Sequence, residues 1–227
     1  SNRVPVEARF GEEGWLPEEA QFGATNLVIP APVLGMNGYE SVRGSFACEW
    51  SGGRFTLVMA GGAEPSSEVP LRLPSVEFQL RAGGDPSALR VETLRVQAPW
   101  FQAELSRPMT FRRAAPWIAE PMAMRISADL DRVPGSPLLG HLSGQLEATA
   151  SGGTTPRLRF ALNGAEVRWG EIAARTAELG GVIEWPRLTM ERCELELEGG
   201  GLIDVSGNAN LESRVVELGQ WTVRGGV

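Results

Sequence analysis

The side chains in this sequence that could bind a metal or act as nucleophiles are few and scattered. His141 is the only histidine, and the two cysteines, Cys48 and Cys193, lie far apart. Structural zinc sites need about four cysteine, histidine or carboxylate ligands at characteristic spacings, and no such set occurs here. His141 stands beside a Pro-Gly-Ser-Pro turn, which is typical of a solvated loop residue. The cysteines fall in strand-like segments, which favours small buried apolar side chains, and their spacing leaves open whether they pair.

Paired carboxylates are the other candidates for catalysis. Acidic clusters occur at residues 12–13, 18–19 and 191–198. Glycoside hydrolysis needs two facing carboxyl groups. In the third cluster, however, Glu194, Glu196 and Glu198 are two residues apart, so they share one face of a strand, which is typical of a solvated outer surface. No nucleophile elbow, phosphate-binding loop or dinucleotide fingerprint is present. We therefore expect no enzymatic activity, and neither a metal nor a cofactor.

The charge of the chain argues against nucleic-acid binding. The net charge is −7, and all 21 basic residues are arginine. Nucleic-acid-binding proteins need a basic patch to neutralise phosphates, and no basic run occurs here.

The sequence contains neither a membrane helix nor a secretion signal. No stretch reaches the roughly 20 apolar residues of a membrane-spanning helix, and the N-terminus does not resemble a signal peptide. The sequence opens with Ser1-Asn2 and stops at Val223–Val227, within a strand-and-turn pattern. We therefore expect it to be part of a longer protein, in which a membrane anchor can lie elsewhere.

The strongest structural signal is an alternation of apolar and polar residues with a period of two. In one example, Val76, Phe78 and Leu80 alternate with Glu77 and Gln79. The same pattern recurs at residues 89–96, 101–105, 157–162 and 194–198. Such alternation gives each strand one apolar face and one wet face, which is typical of antiparallel sheets. The sequence predicts an all-β chain of about twelve to fifteen strands with very little helix.

One strand–turn–strand unit occurs twice, about one hundred residues apart. The first copy runs from Val42 to Gly53 and the second from Leu142 to Gly153, each followed by a strand-like return segment. Repetition of one such unit indicates a sheet that is extended by addition, in which each unit buries apolar surface only against its neighbours. We expect an elongated, curled antiparallel sheet.

Two segments interrupt this pattern and suggest a domain division. Residues 1–38 are rich in proline and glycine, and we expect an irregular lead-in that packs on a sheet edge, with one helical turn at Pro17–Phe22 closed by Gly23. Residues 112–140 hold several prolines. The prediction is therefore a first β-repeat module at 39–140 and a second at 141–227, the latter continuing beyond this sequence.

Three segments combine alternating apolar residues with glycine-containing turns: Ala88–Val96, Leu142–Ala148 and Leu195–Leu211. In these segments the sequence resembles the AsmA/TamB-like proteins of Gram-negative cell envelopes. The resemblance implies a curled sheet with an apolar groove, a periplasmic location, and an inner-membrane anchor outside this sequence. It also implies a non-enzymatic role in lipid transport or outer-membrane assembly. The proline-rich stretch near 99–137 departs from the family pattern and would interrupt a continuous groove.

The apolar residues of the alternating segments are the candidates for lining such a groove. They are Val76, Phe78, Leu80, Leu89, Val91, Phe101, Leu105, Leu158, Phe160, Leu162, Leu195 and Leu197. The expected partners are lipid acyl chains or membrane components, and further repeats of the same parent chain. The seven tryptophans are suited to a groove rim, because each joins apolar area to a polar N–H. The same alternation would also build the core of a closed sandwich.

Two other architectures compete with the groove. A right-handed β-helix would indicate an adhesin or a polysaccharide-acting protein, although its coils give a shorter and steadier repeat. A β-sandwich would indicate a module that binds carbohydrate or protein, and it would close about seven to nine strands into two packed layers.

Overall fold

The chain forms antiparallel strands almost throughout. The computed structural model describes residues 4–10, 17–34, 36, 38–67, 73–113, 118, 120–133, 135–149, 157–213 and 215–225. It is 77% strand and 4% helix, with fifteen strands of the described residues in one antiparallel sheet that is not closed. The prediction of an all-β, antiparallel fold with very little helix is confirmed. Antiparallel pairing contradicts the β-helix, and an open sheet contradicts the closed sandwich.

The chain divides into two compact units. Unit 1 consists of Ser1–Pro99 and Arg107–Ala119, and unit 2 of Trp100–Ser106 and Glu120–Val227. The strands of unit 1 are β1 (Val6–Phe10), β2 (Pro17–Pro30), β3 (Tyr39–Ser51), β4 (Arg54–Pro65), β5 (Val76–Asp85), β6 (Ala88–Ala98) and β8 (Met109–Arg112). Those of unit 2 are β7 (Phe101–Leu105), β9 (Met122–Asp129), β10 (Leu138–Thr149), β11 (Arg157–Trp169), β12 (Ile172–Glu184), β13 (Arg187–Leu197), β14 (Leu202–Asn210) and β15 (Val215–Arg224). Short 3-10 helices occupy Ala31–Leu34 and Leu130–Arg132.

These units do not follow the boundary expected at residues 140 and 141. Within unit 2, β9 pairs with β7 on one side and with β10 on the other. The residues from 120 to 140 therefore belong to the same body as the second sequence repeat. The proline-rich stretch contains β8 and β9 as well as turns, because its prolines fall mostly outside the strands.

The described residues among the first 38 are mostly strand, so the expectation of an irregular lead-in is wrong, and so is the predicted helical turn. Pro17–Phe22 begins β2, and Glu19 to Ala24 pair residue by residue with β3. Short-range signals such as a proline followed by glutamates are weak compared with a long ladder of hydrogen bonds to a neighbouring strand. In addition, Ala20, Phe22 and Ala24 alternate along β2, so the ladder places their side chains on one face.

The two sequence repeats form matching strand pairs. β3 turns into β4 at Gly52 and Gly53, whose φ values of 56° and 77° are ones that glycine adopts at little cost. β10 pairs with β11 from Leu138↔Trp169 to Thr149↔Arg157, and the Ser-Gly-Gly of the second copy lies outside the described residues. The equivalent glycines Gly44 and Gly144 both stand in the first strand of their pair.

The register of unit 1 gathers its apolar side chains on one face. Residues that lie directly opposite one another across the strands form five rows of apolar residues and glycines. The rows are Ile29–Val42–Ala63–Val76, Leu27–Gly44–Gly61–Phe78–Val96, Ala24–Phe46–Met59–Leu80–Leu94, Phe22–Cys48–Leu57–Ala82–Val91–Met109 and Ala20–Trp50–Phe55–Gly84–Leu89–Phe111.

One end of this face is covered by the chain itself. Ala31, in the first 3-10 helix, is 0% exposed and forms a small core with Val42 and Ala63. Met36 packs against this core, and its backbone N–H donates to the carbonyl oxygen of Ala31 over 3.1 Å. The segment between β2 and β3 therefore folds over the sheet instead of running out into solvent.

Candidate functional site

The apolar face of unit 2 is the largest feature that the register creates. We use this name for the side of β7 and β9–β15 that carries four rows of directly opposed residues. The rows are Phe101–Ala128–Leu142–Gly164–Ala177–Leu195–Ile203–Val223, Ala103–Ile126–Gly144–Leu162–Leu179–Cys193–Val205–Trp221, Leu105–Met124–Leu146–Phe160–Gly181–Met190–Gly207–Leu218 and Met122–Ala148–Leu158–Ile183–Leu188–Ala209–Val216. Every member is apolar or glycine, so no charge interrupts the face.

The large side chains of this face are not sealed beneath a second layer. Among the described residues of the chain, no large side chain is fully buried, and alanines make up more than half of the buried apolar residues. The chain exposes 15226 Å² of surface, whereas a compact monomer of this mass exposes about 10,000 Å². Leu158, Phe160 and Leu162 are half-buried, because neighbouring side chains shield them only from the sides.

The structure places every predicted lining residue on the apolar face of its own unit. In unit 1 these are Val76, Phe78, Leu80, Leu89 and Val91. In unit 2 they are Phe101, Leu105, Leu158, Phe160, Leu162, Leu195 and Leu197. Leu197 lies opposite Ala174, at the end of the face. Their role in binding lipid stays a prediction.

Sequence reasoning missed about two-thirds of the large residues on this face. Those in unit 2 include Met122, Met124, Ile126, Leu146, Leu179, Ile183, Leu188, Ile203 and Trp221. Strand β9 could have been found, because Met122, Met124 and Ile126 also alternate with polar or small residues. The residues of β12 and β14 lie next to glycines and register shifts that break the period of two.

Two phenylalanines lie across from glycines on the partner strand. Phe160 is opposite Gly181, and its Cζ would stand 2.8 Å from a Cβ at that position. Phe78 is opposite Gly61 in unit 1, and the corresponding distance is 3.0 Å. Each ring fills the space that the glycine leaves, which restores packing where the strand carries no side chain.

The rims of this face carry exposed apolar residues. Leu138, Trp169 and Ile172 form a row at one end of unit 2, and Trp169 is 61% exposed. Trp185, in the turn between β12 and β13, is exposed to a similar degree. The role of tryptophans at a groove rim stays a prediction. Trp50, by contrast, is half-buried in unit 1 and donates its indole N–H to the Pro17 carbonyl over 2.7 Å.

The opposite face of unit 2 is covered by ion pairs. Arg192 binds Glu178 at 2.7 Å and Glu194 at 3.2 Å. Arg168 binds Glu198 at 3.3 Å. All these side chains are at least one-third exposed, so the prediction of a solvated outer surface for the 191–198 cluster is confirmed. Exposed pairs of this kind contribute little stability individually. Their charged groups keep this side of the sheet hydrated.

The remaining reactive side chains form no catalytic arrangement in the described residues. Cys48 is buried, Cys193 is half-buried, and both are free thiols. Burial raises the pKa of each thiol, and the charges of Glu49 and Asp204 raise the pKa of Cys48 and Cys193 respectively. His141 is solvated as expected, but it lies in β10 and not in a loop, with its Nδ1 3.9 Å from Asp129. The described part of the chain contains no group of three potential metal ligands, and the carboxylates at 12–13 lie outside it.

Comparison with known proteins gives no guide to the function of this chain, so the apolar face of unit 2 is the main one. No family model, no curated protein and no solved structure matches this chain. Among the described residues, none of the helices has the length and apolar content needed to span a bilayer.

Proposed function

We propose that this chain is a non-enzymatic portion of a periplasmic envelope protein of the AsmA/TamB-like type. In this proposal its apolar faces shield lipid acyl chains, in the service of lipid transport or outer-membrane assembly. The parent protein is held at the inner membrane by a segment outside this sequence, and its further repeats extend the sheet. The observation that supports the proposal is the uninterrupted set of apolar rows on unit 2, which no second layer of the described residues covers.

The energetics of the face favour an extended hydrocarbon ligand. Burial of a methylene group contributes about 0.8 kcal/mol. An acyl chain that lies across the rows would replace water over Leu162, Phe160 and their neighbours without displacing any packed element. The face offers no buried polar group for orientation, so selectivity for the headgroup is not expected from it.

Chain length is therefore the property that should control affinity. For fatty acids of ten to sixteen carbons, we expect the Kd to fall about fourfold for each added methylene until the face is filled. Isothermal titration with each fatty acid below its critical micelle concentration measures this slope. A Kd that is independent of chain length would contradict binding on an apolar face.

The location of the ligand is tested with two adjacent residues of β11. Leu162→Glu puts a charge on the apolar face, and Asn163→Glu puts the same charge on the exposed outer face of the same strand. We expect the Leu162 variant to lose photocrosslinking to a diazirine-labelled fatty acid, and the Asn163 variant to keep it. Circular dichroism of both variants checks that the sheet is retained.

Lipid that accompanies the purified protein gives an independent readout. Solvent extraction followed by mass spectrometry should recover diacyl lipid from the wild type and much less from Leu162→Glu. Absence of lipid from the wild type, together with no saturable fatty-acid binding, would reject the proposal.

A further inference from the structure

The segment between β2 and β3 covers the first row of the apolar face of unit 1. We call it the stop segment, and it consists of the 3-10 helix Ala31–Leu34 and of Met36. It packs against Val42 and Ala63, which lie directly opposite one another in that row and are 8% and 2% exposed. A ligand therefore has no access to these two side chains while the stop segment is in place.

The covered region is limited to one end of the face. Val76 completes the covered row, and Phe78 of the second row packs against the same small core. Leu80, in the third row, is half-buried and does not belong to this core. Successive rows lie about 7 Å apart along a strand, because they are separated by two residues. The boundary between the covered and the uncovered part of the face therefore lies at Phe78.

Backbone hydrogen bonds and one small side chain hold the stop segment on the sheet. Ala31 is the buried residue of the 3-10 helix, and its methyl group is small enough to let the helix lie close to the strands. The Tyr39 N–H donates to the carbonyl oxygen of Met36 over 3.3 Å. The Ser66 N–H donates to the carbonyl oxygen of Gly38 over 2.9 Å, which ties this part of the chain to the end of β4.

The second sequence repeat carries the same element with different side chains. At the same distance before the second copy, the chain again forms a 3-10 helix, Leu130–Arg132. There Asp131 stands in the place of Ala31, and Ser136 stands in the place of Met36. The second helix contains no buried residue. The two repeats therefore share the element but not its apolar contact with the sheet.

The second helix is held by a polar contact instead. Oδ1 of Asp131 accepts a hydrogen bond from the Gly140 N–H over 2.6 Å, at the start of β10. The residue that corresponds to Val42 is Leu142, and it is half-buried, whereas Val42 is buried. A charged side chain at position 131 is costly to bury against apolar residues, so this helix is not suited to covering a row.

We propose that the stop segment is an end-stop for acyl chains on unit 1, and that unit 2 lacks an end-stop at the corresponding end of its face. This inference rests on the proposed function, since it concerns where the same ligand lies. An acyl chain that runs along the strands of unit 1 ends at Phe78, whereas on unit 2 it reaches the row of Leu142. The two faces therefore accept chains of different maximum length.

Crosslink mapping tests where the ligand ends. Fatty acids with a diazirine at either end of the chain are bound to delipidated protein and irradiated, and the modified residues are identified by tandem mass spectrometry. In the wild type we expect modification of Leu80 and none of Val76. The double variant Ala31→Asp, Met36→Ser gives the stop segment the residues of the second repeat at both positions. In this variant Val76 should become modified.

Val33→Ser is the matched control for the double variant. Val33 lies in the same 3-10 helix but is 76% exposed, so its replacement should leave the crosslink map unchanged.

The cover itself can be measured without lipid. In a background with Cys48→Ala and Cys193→Ala, we expect Val76→Cys to react with a maleimide about tenfold faster once the two substitutions in the stop segment are added. Leu80→Cys should keep its rate, which checks that the sheet is retained. The wild-type crosslink map decides the proposal even where the double variant does not fold.

Two results would overturn the end-stop and leave the proposed function intact. One is modification of Val76 in the wild type with the same yield as Leu80. The other is an unchanged crosslink map in the double variant after maleimide labelling has shown that Val76 is uncovered. Absence of modification from both units would instead reject the proposed function, and the end-stop with it.

Discussion

Phe78 and Phe160 show how single residues maintain an apolar surface on a glycine-containing strand. Each ring covers a glycine on the adjacent strand, Gly61 and Gly181 respectively. A glycine at these positions lets the backbones approach closely, since an added Cβ would meet the carbonyl oxygen of Arg43 or Thr189. The pair of residues works as a unit, because the phenylalanine supplies the apolar area that the glycine lacks.

A glycine-to-alanine comparison tests this account. Gly181→Ala should destabilise the protein by about 1–3 kcal/mol, because the new methyl group meets both the Phe160 ring and the Thr189 carbonyl, and a carbonyl in a ladder cannot move aside. Urea denaturation followed by circular dichroism measures the change.

Gly199 provides the control for this comparison. It lies in the turn after β13, a methyl group placed on its Cα would meet no atom within 4 Å, and its φ is not in the left-handed region. Gly199→Ala should therefore leave stability unchanged or raise it by about 0.5 kcal/mol. Equal losses for both variants would mean that the cost comes from chain entropy or propensity and not from the Phe160 contact.

At the scale of elements, the hairpin between β5 and β6 depends on one carboxylate. Oδ1 of Asp85 accepts hydrogen bonds from the Ser87 hydroxyl at 2.5 Å, the Ser87 N–H at 2.8 Å and the Ala88 N–H at 3.1 Å. These bonds, that of the Ser87 hydroxyl first, lower the pKa of Asp85, and the positive charge of Arg54 acts in the same direction. An aspartate in this position fixes the turn by imitating a backbone acceptor.

The lowered pKa predicts a pH-dependent contribution to stability. A carboxyl whose pKa is lower in the folded state stabilises the fold above its unfolded pKa of about 3.9 and loses that effect as pH falls through the folded pKa. Asp85→Ala should therefore lower the urea midpoint at pH 7, and the difference from wild type should shrink towards about pH 2.

Two further variants separate charge from hydrogen bonding at this turn. Asp85→Asn keeps an acceptor oxygen, so its loss at pH 7 should be smaller than that of alanine and should not depend on pH. Glu77→Gln, which removes an exposed carboxylate from β5, should change nothing. A Glu77 effect as large as that of Asp85 would indicate a general charge effect.

The strands were predictable from the sequence, but the rows were not. Alternation in segments such as Val76–Leu80 fixes which side chains share a face, and the structure agrees. Register depends on bulges, for example opposite Gly180 and Gly181. There one extra residue changes which residues lie opposite one another on the two strands, and no clear sequence signal marks it. Leu218 and Trp221 share a face only because of such a bulge. The glycines of the rows carry no apolar side chain, so hydrophobic periodicity could not reveal them.

At the scale of the whole molecule, the amount of exposed surface sets the thermodynamics. An unfolded chain of this mass exposes about 35,000 Å², and the folded chain exposes 15226 Å². Unfolding therefore uncovers about a fifth less surface than it does for a compact protein of equal size.

The heat capacity of unfolding should reflect this difference. We expect a value about one fifth below the usual 12–15 cal/mol/K per residue, roughly 10–12 cal/mol/K per residue. Scanning calorimetry of delipidated protein measures it. Addition of a bound fatty acid should raise the value, since the ligand covers surface that unfolding then releases. A full-sized value without ligand would mean that the apolar faces are covered in solution.

The matching strand pairs β3–β4 and β10–β11 have a consequence for how such a chain can change over evolutionary time. Among the described residues, these strands pair with the strands beside them in the sheet, and the apolar rows of their unit run across them. Duplicating a hairpin therefore lengthens the rows by two positions without altering the packing of any existing strand. Such a gene can gain or lose whole hairpins in evolution. The length of the encoded sheet then changes in steps of two strands.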